Sequence, residues 1–289
     1  MSIAYLDPGN IAGNLEAGVK GGYSLIWLLL WATTLGLFYQ SMASRIGVVT
    51  QRNLAKLAAE QYSSKTRYIL WMMTELAIIG SDIQEVLGSA TALYILFGMP
   101  LWIAAILTIV DSLLFLFIHY YGVRKLETFF LFLILVMAIS CFLNLSTSEP
   151  DLNKIVYGTF VPTVPSKAFT AALGLVGAVI MPHNLYLHSS LVLTREVDIK
   201  DKKAVKEATI YNQIESAVSL LISFTISAGI IATFAASMSL KRKEQLPEIN
   251  LLTASDALES FFGSNSKYIW AIGLLASGQS STMTGTYAG

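Results

Sequence analysis

Charge is scarce in this chain of 289 residues: only 13% are Asp, Glu, Lys or Arg, and the 19 basic and 19 acidic side chains cancel. A neutral balance gives no basic footprint for a polyanion, so no nucleic-acid partner is expected. Cysteine occurs once, as Cys141 in an apolar run, which excludes an internal disulfide framework and a thiolate metal cluster. No zinc-protease histidine spacing and no Gly-Lys-Ser or Gly-Lys-Thr phosphate loop occurs. The first residues lack a basic n-region, a small-residue cleavage site and an Arg-rich amphipathic pattern, so no targeting signal is read there. What the chain has in excess is apolar surface. Hydrophobic residues make up 54% and mean hydropathy is +0.60, outside the soluble globular range and in that of an all-α polytopic membrane protein.

A spanning helix needs roughly 20 mostly apolar residues, and about eight segments qualify by that measure. They run approximately Ser2–Ala17, Ser24–Ala43, Tyr68–Phe97, Leu101–His119, Leu126–Leu145, Phe169–Thr194, Asn212–Ser237 and Lys267–Met283. The stretch from Ser237 to Ser266 reads as a polar loop. Loops after the second, fourth and sixth segments collect Arg45, Arg52, Lys65, Arg124, Arg195 and Lys206 among others, whereas the opposite loops hold fewer cations, chiefly Lys241, Arg242 and Lys243. The positive-inside rule then places the first set, and the N-terminus with it, in the cytoplasm.

Two of these segments are interrupted, by Asp7-Pro8-Gly9-Asn10 and by Met181-Pro182-His183-Asn184. Proline removes a backbone donor, so each segment should unwind and free carbonyls at membrane depth. Such backbone is tolerated only where it is buried in protein or lines a cavity, and here it carries polar side chains. The pattern points to a cation site between two broken helices. An ionised Asp7 at that depth needs a cation, a proton or a basic partner, and no Lys or Arg lies near mid-depth of any segment. Asn10 adds a neutral oxygen, or caps the resumed helix. Oxygen donors bind any hard cation, whereas the Met181 thioether tilts the set toward Mn²⁺, Fe²⁺, Co²⁺ or Cd²⁺ over Mg²⁺ and Ca²⁺. The competing reading of Met181 is packing filler. Pro182 deprives the Ala178 carbonyl of its helical donor.

Titratable groups cluster around these breaks. His183 and His188 flank the second, at a spacing that sets their rings well apart around a helix, so a closed zinc site is not expected and proton relay is. A satisfied core histidine is the alternative for His188. Glu75, Asp82 and Glu85 follow a seven-residue and a three-residue step, which places them along one stripe of the third segment. Three carboxyls amid apolar neighbours should share protons, as a proton path requires; the alternative is a stripe facing a water-filled vestibule. Asp111 is a further intramembrane acid, with no partner named by the sequence.

Asp-Pro-Gly-Asn at 7–10, the run from Ala178 through Asn184 and on to Leu-Tyr-Leu-His-Ser-Ser, Glu75 to Glu85, and the small, hydroxyl-rich Gly278–Gly289 together resemble the NRAMP family of proton-coupled divalent metal transporters, in its eukaryotic form. The resemblance implies a LeuT-type inverted-repeat fold in which helices one and six are broken. It implies that Asp7, Asn10, Met181 and the Ala178 carbonyl are metal ligands, and that Asp7, Glu75, Asp82, Glu85, His183 and His188 belong to the proton pathway. The whole chain, 1–289, is then one transmembrane domain, with a first repeat over about 1–146 and an incomplete second, inverted repeat over about 168–289. The inner half of the first helix and the family's ninth and tenth helices are not in the sequence, so a fragment is expected.

The expected function is a secondary active transporter, not an enzyme, carrying Mn²⁺ or Fe²⁺ toward the cytosol with protons. The metal is cargo and H⁺ the coupling ion, and no cofactor is implied. The location is the plasma membrane or an endosomal or lysosomal membrane. The competing readings are a non-transporting metal sensor or signalling domain on the same scaffold and a sodium-coupled solute symporter, for which Met181 has no use. An intramembrane metalloenzyme would need His183 and Glu85 beside an open metal position.

Overall fold

In the computed structural model of the chain, residues 7–119, 123–195, 197–240 and 249–288 are described, with side chains for all of these except 111–119, 123–131, 134, 239–240, 280 and 282–288. The residues ahead of the first break, the Lys241–Lys243 cluster and the Asp111 side chain therefore lie outside the description, as does most of the 278–289 motif beyond its backbone.

The described residues form α-helices and two 3-10 turns, and no strand among them. Helix α1 (Pro8–Gly21) starts on its proline, whose fixed φ suits the first helical position. Asp7 is its N-cap: the backbone is extended there (φ −76°, ψ 163°), and a carboxylate oxygen accepts the Asn10 N–H at 2.6 Å. The capping role that was the alternative for the Asn10 side chain falls to Asp7, while Asn10 supplies the backbone donor. A 3-10 turn over Gly22–Leu25 leads into α2 (Ile26–Thr50), and a left-handed Gln51 ends it. A short surface helix, α3 (Leu54–Gln61), is capped by Asn53 and tied to a later helix by the Leu54 N–H on the Ser189 hydroxyl, 2.9 Å.

Helix α4 (Ser64–Phe97) has 34 residues, so it is roughly 50 Å long at ~1.5 Å per residue, and must tilt or project beyond a ~30 Å hydrocarbon layer. It ends on Gly98, whose φ of +67° is the left-handed cap that glycine adopts without strain. Helices α5 (Leu101–His119) and α6 (Val123–Ser148) follow, then the short α7 (Leu152–Phe160). The sixth segment divides as the proline predicts, into α8 (Phe169–Val179) and α9 (Pro182–Val192). Helix α10 (Lys202–Leu240) begins ten residues ahead of its apolar part, and α11 (Ala254–Phe262) occupies what reads as loop in the sequence. Helix α12 (Ser264–Ala288) closes the described chain.

Around α1 pack α4, α8, α10 and α12. Its Ile11 and Leu15 are buried with Phe234 of α10, Leu258 of α11, and Trp270 and Leu274 of α12, and the Phe234 and Trp270 rings meet edge to face at 5.3 Å. A second cluster joins Leu25, Ile26 and Leu29 to Leu175 and Val179 of α8. Outward, α4 exposes Trp71, Met72, Leu76, Ile79, Ile83 and Leu87, an apolar surface that water would penalise and lipid accepts. Among the described residues, the stretches Pro8–Thr50, Ser166–Val192 and Lys202–Met238 are long and apolar enough to cross a membrane.

Candidate cation site

The break in the sixth segment is local backbone chemistry. Ile180 (φ −100°, ψ 80°) and Met181 (φ −94°, ψ 120°) leave the helical region, and Pro182 restarts the chain as the first residue of α9. The Ile180 N–H turns back to the Val176 carbonyl at 2.9 Å. Pro182 has no N–H to give Ala178, so that carbonyl ends α8 without its i+4 donor. The carbonyl end of a helix carries partial negative charge, which suits a cation. Met181 is buried at 8% exposure and its sulfur accepts an N–H from the Asn184 amide at 3.3 Å.

Helix α1 stands opposite this break. At its crossing with α8 a Cβ on Gly13 would come within 3.8 Å of the Ala178 methyl. On its other side α1 presses onto α4: a Cβ on Gly9 would overlap the Gln84 side chain, and one on Gly88 would overlap the Pro8 ring. Between these helices lies a cleft of about 420 Å³, lined among others by Gly9, Gln84, Ala178, Met181 and His183. Of the residues singled out in the sequence, Ala178, Met181 and His183 thus share one wall. Asp7 and Asn10 do not line the cleft. They are 3% and 2% exposed at the start of α1, Asp7 oriented by its capping bond and Asn10 with an amide nitrogen that lacks a hydrogen-bond partner among the described residues.

The three carboxyls of α4 differ in environment. Glu85 is buried, within electrostatic reach of Asp7 and of Asp82, and the Ser281 hydroxyl of α12 reaches it. Asp82 is exposed and Glu75 half-buried. The three-residue step from 82 to 85 turns the helix by about 60°, enough to carry one side chain inward against α1 and α12 while the other stays outside. The histidines part company as their spacing predicts: His183 faces the cleft, whereas the His188 Nε2 lies 3.3 Å from the Ser216 hydroxyl of α10. Among the described residues no three His, Cys, Asp or Glu side chains group as metal ligands, so any metal site here rests on mixed donors.

The sequence reading passes over Gln84, Ser81 and Glu16, all of which line the cleft. The signal is present in the small-residue face of α4, where Ala77, Gly80, Ser81 and Gln84 recur at helical spacing. Glu16 pairs with Lys20 at 2.5 Å, one turn along α1.

Comparison with known proteins gives a consistent result. The family model described as natural resistance-associated macrophage protein-like, Nramp, matches residues 1–289. The chain is 50% identical over 291 residues to "Metal transporter nramp1 homolog" of Dictyostelium discoideum, covering 100% of this chain and 54% of that protein. It is 45% identical over 315 residues to "Natural resistance-associated macrophage protein 2" of Mus musculus, covering 100% of this chain and 56% of the relative. It therefore spans about half the length of these relatives. A crystal structure of the Eremococcus coleocola manganese transporter superimposes with a TM-score of 0.81 at 30% identity, over 99% of this chain and 62% of that one.

Proposed function

The chain belongs to the Nramp family, and from that premise we propose that it forms the cation-binding part of a secondary transporter that moves Mn²⁺ or Fe²⁺ toward the cytosol together with protons. The fold is that of an all-α, multi-pass membrane protein of the LeuT type. The Dictyostelium discoideum, Populus trichocarpa and Arabidopsis thaliana relatives are named metal transporters, not enzymes.

The observation that carries the reading is the break at Ile180–Met181, which brings a thioether and a carbonyl without its helical donor onto one cleft wall facing α1. In this reading the Asp7 carboxylate, the Asn10 amide oxygen, the Met181 sulfur and the Ala178 carbonyl bind the ion. Hard oxygens supply charge and the sulfur supplies discrimination against Ca²⁺ and Mg²⁺. A sodium-coupled symporter has no use for that sulfur. Protons pass among Asp7, Glu85 and Asp82, with Glu75, His183 and His188 as further stations. The N-terminus is cytoplasmic, on the side where the loops gather Lys and Arg.

Calorimetry on the purified protein tests the site. Replacing Met181 by Ala should weaken Cd²⁺ binding while Ca²⁺ binding stays as it was, narrowing the preference between them. Unchanged affinity for both ions would remove Met181 from the site and with it the selectivity argument.

A further inference from the structure

A second groove, unrelated to the cation cleft, lies where the C-terminal end of α2 meets the first turns of α10. It has a volume of about 400 Å³, and Arg45, Lys202 and Lys206 line it together with Val49, Ile199 and Ile210. No Asp or Glu is among its lining residues, and none of the three cations has an ion-pair partner among the described residues. We propose that this groove holds the headgroup of an anionic phospholipid.

The sequence sorts the charges before the fold does. In the first turns of α10, Lys202, Lys206 and Gln213 fall on one face and Glu207, Tyr211 and Glu215 on another, each set at helical spacing. The acidic face lines a separate groove, where Arg195 is held by Glu215 at 2.7 Å. Asp201, at the start of α10, accepts the Lys203 N–H at 2.8 Å. Among the described residues, then, the cations of the first groove have no carboxylate partner.

Depth and surroundings choose a lipid over a soluble phosphate ester. Helix α2 carries no charged residue from Ile26 to Ser44, so Arg45 is the first charge beyond its apolar body. Helix α10 carries none from Ser216 to Leu240, so its lysines lie beyond the same end of its apolar body. The groove therefore sits at the boundary where phosphates of a bilayer lie. Val49, Ile199 and Ile210 are 49%, 51% and 44% exposed beside the cations. A glycerol backbone and the first acyl carbons would cover them, and a free phosphate would not. A headgroup seated there ties the end of α2 to α10.

Native mass spectrometry of the purified protein, released from micelles containing equal phosphatidylglycerol and phosphatidylcholine, tests this directly. The unmodified protein should retain phosphatidylglycerol preferentially, and replacing Arg45, Lys202 and Lys206 by Gln should reduce that retention by about fivefold per cation removed, with phosphatidylcholine unchanged. Lys203→Gln, beside the groove but outside its lining, should change nothing. If the triple Gln variant fails to fold, the single variants and the charge-keeping Lys202→Arg/Lys206→Arg variant decide, the first losing retention and the second keeping it. Undiminished preference in folded Gln variants would overturn the proposal. Displacement of the lipid by excess inorganic phosphate or glycerophosphate would overturn it too, by showing a pocket for free anions.

Discussion

The Pro8 ring fills the space that a side chain at Gly88 would need, since a Cβ built on Gly88 would overlap the Cβ and Cγ of that proline. This contact fixes where α1 begins against α4. Asp7 precedes the proline and Glu85 lies one turn before the glycine, so the same contact holds the two carboxyl groups within electrostatic reach of each other. The proline that starts α1 is thus also the wedge that positions the acid beside it.

Gly88→Ala should destabilise the protein by about 1–3 kcal/mol, the usual cost of overpacking. Gly80 lies on the same helix with nothing within 4 Å of its would-be Cβ. Gly80→Ala should be neutral or up to ~1 kcal/mol stabilising, from the better helix propensity of alanine. Thermal unfolding of both variants in detergent checks the pair, and equal melting temperatures would refute the close approach at Gly88.

Helix α12 meets α4 by a similar device, in which a Cβ on Gly278 would overlap the Ser89 hydroxyl and stand 3.2 Å from the Ser89 Cβ. The Ser89 oxygen is fully buried and has no hydrogen-bond partner among the described residues, so Ser89→Ala should cost little by itself. Gly278→Ala should be clearly destabilising in the native background and less so with Ser89→Ala, because the oxygen that blocks it is gone. The coupling expected in a double-mutant cycle is about 0.5–3 kcal/mol. Strict additivity would show that the helices separate to admit the methyl.

Outside the membrane, Asp151 caps α7 by accepting the Asn153 and Lys154 N–H groups at 3.1 and 3.3 Å. The Lys154 side chain beside it, 3.1 Å away, is the largest cause holding this carboxyl below the usual carboxylate range. A group depressed in the folded state contributes stability that is present above its unfolded pKa and is lost as pH falls through the folded one. The first turn of α7 should therefore fray on acidification, seen as faster amide exchange after correction for the intrinsic rate. Asp151→Asn keeps the capping oxygen and should lose the pH dependence; a variant that frays in step with the native protein would contradict the assignment.

The break in the sixth segment was legible in the sequence because proline acts on its own backbone neighbours, whatever packs around it. The separation of His183 from His188 was legible for the same kind of reason, since five residues of helix fix the angle between two side chains. The inequality of Glu75, Asp82 and Glu85 was not. Their spacing reads as one stripe of the helix, but which of them is buried depends on Pro8 packing against Gly88 and on Ser281 arriving from α12. Helices α7 and α11 escaped because, at nine residues each, they are too short to register as spans. The basic groove escaped because Arg45 and Lys206 are far apart in the chain and meet only when α2 packs along α10.

Asp7 carries two assignments that a pair of substitutions can separate. As the N-cap of α1 it holds the Asn10 N–H; as a proposed ligand it supplies the negative charge of the cation site. Asparagine caps a helix as well as aspartate does, whereas alanine costs about 1 kcal/mol. Asp7→Asn should therefore unfold at the temperature of the native protein, and Asp7→Ala should unfold earlier. Both should lose Mn²⁺ and Cd²⁺ binding, because a neutral amide oxygen does not replace a carboxylate facing a divalent ion. If Asp7→Asn binds Mn²⁺ with native affinity, the charge at residue 7 serves the helix alone and the ligand set must be sought elsewhere along the cleft. If it loses binding while its melting temperature stays, capping and ligation are independent duties of one side chain.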